Sequence, residues 1–164
     1  MNIAVVAFII NTLGIRASTL LSDGDDGVDA RVRVQKVAYF LKRLRHDVGF
    51  EFDLYYHGPY SSELANTIEL LAHFGTVRIE ELAVPCIEAG ECRGIRSIVE
   101  RLSQYPTAIL EVASTIRSLL DAPDYRNDLN GAIDHVKFLK PWVNDGIIKD
   151  ALSPLKSLGL LEWE

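Results

Sequence analysis

The chain has 164 residues, 48% of them hydrophobic and 24% charged, a composition that folds as a globule and excludes disordered and fibrous classes. Its 17 basic residues against 23 acidic ones leave a net charge of −6, which argues against a globally basic nucleic-acid coat. No apolar run reaches the roughly 18 residues of a membrane span, and the length suits a single domain over residues 1–164.

Residues 3–15 are apolar but interrupted by Asn11 and Thr12 and carry no basic flank, so they predict a first core helix and not a secretion signal, in a cytoplasmic protein. The acidic stretch at 22–27 resembles a calcium loop only superficially. Counted from Asp23, the sixth and twelfth positions, which require Gly and Glu, hold Val28 and Val34. A solvated turn is the better reading.

Residues 29–47 predict a long helix capped by Asp29. Val34, Val37, Ala38, Leu41 and Leu44 line one face, while Val32, Tyr39 and Phe40 form a second stripe roughly opposite. A helix apolar on two sides is clamped between neighbours, so this one is expected at the centre; a second subunit covering one stripe, hence a homodimer, stays open. Gly49 ends it. Residues 50–56 begin with strand-like alternation, and 57–60 form a turn because Gly58 and Pro59 suit neither helix nor central strand. Ser61 or Ser62 caps the next helix, which buries Leu64, Ile68, Leu71 and Ala72 and is closed by Gly75. Residues 76–82 predict a returning strand, an order reminiscent of a winged helix.

Residues 83–94, with Pro85 and Gly90, predict the least regular stretch. Cys86 and Cys92 lack the further soft ligands of a zinc site, so they read as two thiols in a reducing cytoplasm, a local disulfide being the alternative. One Met and two Gln fit a heat-adapted source. Helices are expected at 95–104, 107–121, 126–143 and 145–158, the last kinked at Pro154, before a short tail at 160–164. The fold class is therefore mainly α (α+β): a helical bundle around a central helix with a small two-stranded β-hairpin-like element. Its N-terminal half, 1–82, is winged-helix-like, and its C-terminal half, 95–164, is helical.

Six basic side chains against two acidic ones give residues 29–47 a charge of +4 and leave −10 on the rest of the chain. Arg31, Lys42, Arg43 and Arg45 are the candidates for phosphate contacts. On a helical projection the cluster makes no single broad face, so a solvated rim and a protein-contact surface compete with that reading. A recognition helix at 61–74 would contain no Lys or Arg, and Arg78 in the wing would sit beside Glu80 and Glu81, which disfavours DNA. His57 is a candidate base or metal ligand, yet no nucleophile–base pair surrounds it; His46, His73 and His135 are scattered, and Arg126 and His135 are too far apart for a ribonuclease-type pair. No phosphate loop, GxSxG or HExxH pattern occurs. Neither catalytic residues nor metal nor cofactor is expected.

The run Arg33-Val34-Gln35-Lys36-Val37-Ala38-Tyr39-Phe40-Leu41, then Phe52 to Tyr56, then His57-Gly58-Pro59-Tyr60-Ser61-Ser62-Glu63-Leu64, resembles the YwgA-like family and the related Panacea domain of antitoxins and of proteins similar to the proteolytic adaptor SocA. The likeness covers residues 30–82, with Val34 where Leu is usual and a weaker echo at 136–141. It implies a small helical protein, without catalytic residues, that contacts another protein, such as a toxin or defence component. The Gln35-Lys36 helix and the 57–61 turn are its structural signature, Gly58 and Pro59 fixing a tight turn that His57 or Tyr60 anchors by a hydrogen bond, and Gln35, Lys36, His57, Tyr60 and Ser61 are the expected partner-binding residues. The expectation is thus a non-enzymatic protein-interaction module, with a winged-helix-like DNA-binding regulator as the alternative.

Overall fold

A computed structural model of the chain describes residues 3–46, 48–55, 58–90 and 92–161. In chain order its elements are α1 (Ile3–Thr12), α2 (Ala17–Leu20), α3 (Asp25–Arg43), β1 (Asp53–Tyr55), β2 (Gly58–Tyr60), α4 (Ser62–Phe74), α5 (Thr76–Glu88), α6 (Arg93–Leu102), α7 (Thr107–Asp121), a 3₁₀ turn at Pro123–Tyr125, α8 (Leu129–Leu139) and α9 (Asp145–Ser157). The fold is mainly α with one small antiparallel ribbon, as the sequence predicts. Among the described residues no helix is long and apolar enough to cross a membrane.

The core forms around one continuous stretch in each of two helices that has no solvent face. In α1 every residue from Val5 to Ile10 is buried, and in α3 every residue from Val34 to Leu41. Each large apolar side chain removed from water there contributes about 2 kcal/mol. α5 packs along α1, α7 along α3, and α9 along α7. Most of both stripes expected on α3 is therefore filled from within, but Val32 and Leu44 remain half-buried. α4 follows the sequence closely: Ser61 Oγ accepts the Leu64 N–H at 3.1 Å as N-cap, Gly75 follows the last turn, and Leu64, Ile68, Leu71 and Ala72 face inward.

Three expectations need correcting. First, α3 starts at Asp25, behind Gly24, and not at Asp29. Gly27 permits this because a Cβ there would strike the Ser22 carbonyl, and Asp25 and Asp26 sit in the positive first turn. The expected end at Asp47 lies outside the described residues, as do His57 and the end of the tail at 162–164.

Second, residues 76–82 are helical. Their β-branched residues imitate a strand, but Ile79, Ala83 and Cys86 are buried at helical spacing and the helix runs on to Glu88 with Pro85 inside it. No wing exists there, and the stretch expected to be irregular is largely α5.

Third, Gly58-Pro59-Tyr60 is a strand and not only a turn. It pairs with β1 in the register Asp53↔Tyr60, Leu54↔Pro59 and Tyr55↔Gly58. Proline is admitted because both strands of a two-stranded ribbon are edges. From α3 onward the N-terminal half is thus helix, hairpin, helix, helix, which is not a winged helix. α8 is also shorter than expected, starting at Leu129 behind the capping Asp128.

The reading of Cys86 and Cys92 as free thiols is overturned as well. The helical path of α5 brings Cys86 to Cys92 at the N-cap of α6, with a Cα separation of 5.4 Å, and the two form a disulfide. Such a bond persists in oxidising compartments and in the cytoplasm of some hyperthermophiles. Closing so short a loop contributes roughly 2 kcal/mol through the unfolded chain. Urea unfolding with and without reductant should differ by that order, and alkylation of the unreduced, unfolded chain should leave both cysteines unlabelled. Full labelling would contradict the pairing.

Candidate functional site

The segments singled out in the sequence meet in the interior. Gln35, on the fully buried stretch of α3, addresses both backbone polar groups of one residue. Its Nε2 donates to the Ser61 carbonyl at 2.8 Å, and its Oε1 accepts the Ser61 N–H at 3.0 Å. Lys36, the next residue, donates from Nζ to the Pro59 carbonyl at 2.8 Å. Because Ser61 Oγ caps α4, one serine is gripped by α3 through its backbone and holds α4 through its side chain. From the other side α7 closes on β2. Gly58 has φ +94°, and a Cβ there would collide with Thr115 Oγ1. Thr115 and Ser114 hydroxyls turn back onto the Glu111 carbonyl at 2.8 and 2.9 Å. Each such bond is worth about 1 kcal/mol net, but stranding a buried partner costs about 1–3 kcal/mol.

Beneath this latch lies a buried group of charges. Glu111 Oε2 on α7 pairs with Lys140 Nζ at 3.0 Å, with side chains 12% and 4% exposed. Lys36, only 1% exposed, feels both. Its ammonium pKa falls to about 8, chiefly because burial disfavours the charged form; Glu111 opposes the shift and Lys140 adds to it.

The structure therefore turns three expected contact residues inward. Gln35, Lys36 and Ser61 are at most 2% exposed and spend their polar atoms inside the fold. Tyr60 is at the surface, 36% exposed, and His57 lies outside the described residues. The basic residues proposed for nucleic acid are mostly engaged within the fold. Arg31 donates to the Leu20 and Ser22 carbonyls, both at 2.8 Å. Lys42 donates to the Phe50 carbonyl at 2.7 Å and pairs with Glu51, and Arg43 pairs with Asp121 at 3.2 Å. Arg45 is exposed just beyond α3.

Sequence reasoning missed Glu111 and Lys140. The signal for Glu111 is a single carboxylate in the otherwise uncharged run 107–116; Lys140 sits in the echo of the motif at 136–141. Among the described residues no three His, Cys, Asp or Glu side chains gather as a metal site.

Two hollows open beside the latch. A cavity of about 160 Å³ lies under Tyr60 between α3 and α4, walled by Val28, Val32, Ala65 and Ile68. A groove of about 400 Å³ runs between α3, the start of α7 and the segment joining α8 to α9, where Asp25, Asp29, Glu111, Leu139 and Trp142 line it. Val28 and Val32 belong to both. Comparison with protein-family models, curated proteins and solved structures finds no match to this chain.

The Lys36 shift carries a pH signature. In the unfolded chain the amine holds its proton up to about 10.5, in the folded chain only to about 8. Between those values the unfolded state binds more protons, so this group's share of stability rises with pH, by about 3 kcal/mol in all. The stability of the wild type relative to Lys36→Met, from chemical denaturation at pH 7.5 to 10.5, should climb by that order. A flat or falling difference would contradict the assignment.

Proposed function

We propose that the chain is a non-enzymatic protein-interaction module that docks a partner polypeptide on the face bearing the β1–β2 ribbon. The observation that carries this reading is the contrast between the ribbon's backbone and its side chains. Gln35, Lys36 and the close approach of Gly58 to α7 tie β2 and its junction with α4 down, while Leu54, Tyr55 and Tyr60 stay exposed, the two tyrosine rings meeting edge to face at 5.5 Å between centroids. Exposed tyrosines on a rigid support are the typical anchors of protein interfaces, because they cover much area at little cost in conformational entropy. The resemblance to YwgA-like and Panacea sequences points the same way and makes a toxin or a defence component the partner class. Under this reading the Gln35-Lys36 and Gly58–Ser61 segments are the frame of the binding face and Tyr60 is its contact residue.

The DNA-binding alternative is weakened by the engagement of Arg31, Lys42 and Arg43 within the fold and by the absence of Lys and Arg from α4. A cytoplasmic location fits the proposal where the cytoplasm preserves disulfides, as in heat-adapted cells.

A photo-crosslinking amino acid placed at Tyr60 in the native host tests the reading. The expected result is a discrete polypeptide adduct that survives nuclease treatment and is missing when the crosslinker replaces exposed Lys149. A nuclease-sensitive adduct, or none, would overturn it.

A further inference from the structure

We propose that the partner segment carries an apolar anchor side chain followed within a few residues by lysine or arginine, and that it lies across the Val28–Val32 edge of α3 with the anchor in the small cavity and the cation in the groove. This rests on the protein-binding reading and specifies its partner.

The first part follows from shape. A volume of about 160 Å³ is close to that of an engineered apolar void which admits benzene, so the cavity suits one Leu, Ile or Phe side chain. Its lining is mostly apolar, from Val28, Val32, Ala65 and Ile68 beside Tyr60; Gln35 and Lys36 also line it, with their polar ends bonded to the Ser61 backbone and the Pro59 carbonyl. Arg31 also borders it, but its guanidinium is occupied by two backbone carbonyls. Val28 is 43% exposed, an apolar ridge left uncovered on an otherwise polar first turn.

The second part follows from charge. Three carboxylates, those of Asp25, Asp29 and Glu111, line the groove against one ammonium, that of Lys140, which is already paired with Glu111. Asp29 accepts a hydrogen bond from Thr107 at 3.0 Å, which holds it at the groove wall. Trp142, 48% exposed, and Leu139 complete the lining. A cation beside an indole and near carboxylates is favoured on both counts, and the aliphatic stem of Lys or Arg covers apolar surface such as Leu139. The shared lining residues Val28 and Val32 stand one helical turn apart, about 6 Å. An extended segment at about 3.3 Å per residue covers that step in about two positions, so an anchor and a cation about two to four positions apart reach both hollows. Nucleic acid is repelled by such a lining. A second copy of this chain fits poorly, since its densest basic stretch, on α3, is mostly spent on its own carbonyls and carboxylates.

A random dodecapeptide library displayed on phage, panned against the full chain, provides the probe. Enriched sequences should pair a large apolar residue with Lys or Arg within four positions. As synthetic peptides read by fluorescence anisotropy, they should lose at least tenfold in affinity to the Trp142→Ala variant and about threefold to Asp25→Asn. Both positions are exposed, and circular dichroism and thermal midpoints verify that the variants remain folded. Peptides without basic residues, peptides indifferent to both variants, or no enrichment would overturn the inference. A position-60 adduct that forms undiminished in both variants would sink this inference while leaving the protein-binding reading intact; loss of that adduct in the wild type would sink the reading itself.

Discussion

Two hydrogen bonds between the side-chain amide of Gln35 and the backbone N–H and C=O of Ser61 join the most deeply buried part of α3 to the point where β2 gives way to α4. A primary amide offers a donor and an acceptor side by side, so it pairs with the N–H and C=O of one residue much as a neighbouring strand would. The ribbon needs this help. Two strands of three residues have little cohesion in water, and β1 is exposed along its whole length. What fixes the ribbon is the helix beneath it, through Gln35 and Lys36, and the helix beside it, through the close approach of Gly58 to Thr115.

The charges below the latch impose a cost and a constraint. Two lysines and one glutamate in a mostly apolar interior are expensive to desolvate, and the pairing of Glu111 with Lys140 returns only part of it. Such a group tolerates few alternative packings, because each shift leaves a charge or a carbonyl without its partner. α3, α7 and the segment after α8 are thereby held in one arrangement, and the two hollows between them inherit their shapes from it.

Much of this was legible in the sequence. The two apolar stripes of α3 and the Ser61 cap of α4 follow from local periodicity and capping chemistry, and the structure bears them out. The ribbon was half legible: Gly58-Pro59 announces a reversal, but the pairing of 58–60 back onto 53–55 needed knowledge of what holds so short a hairpin. Residues 76–82 misled because Thr76, Val77 and Ile79 favour strand, whereas packing of α5 against α1 decided for helix. The motif that joins Gln35 and Lys36 to Ser61 suggests both a structural signature and contact with a partner, and the sequence carries no sign of which of the two each polar side chain serves. Here they contact one another. Glu111 and Lys140, 29 residues apart, carry no local signal of their pairing.

The central claim, that Ser61 is gripped by Gln35 in the interior, is tested most directly by hydrogen exchange of the Ser61 amide, followed residue by residue by NMR. A donor bonded at 3.0 Å to Gln35 Oε1 and shielded from water should exchange only through large-scale opening, as slowly as the amides of α3. Exchange as fast as that of the exposed Asp23 amide would show that the grip does not exist.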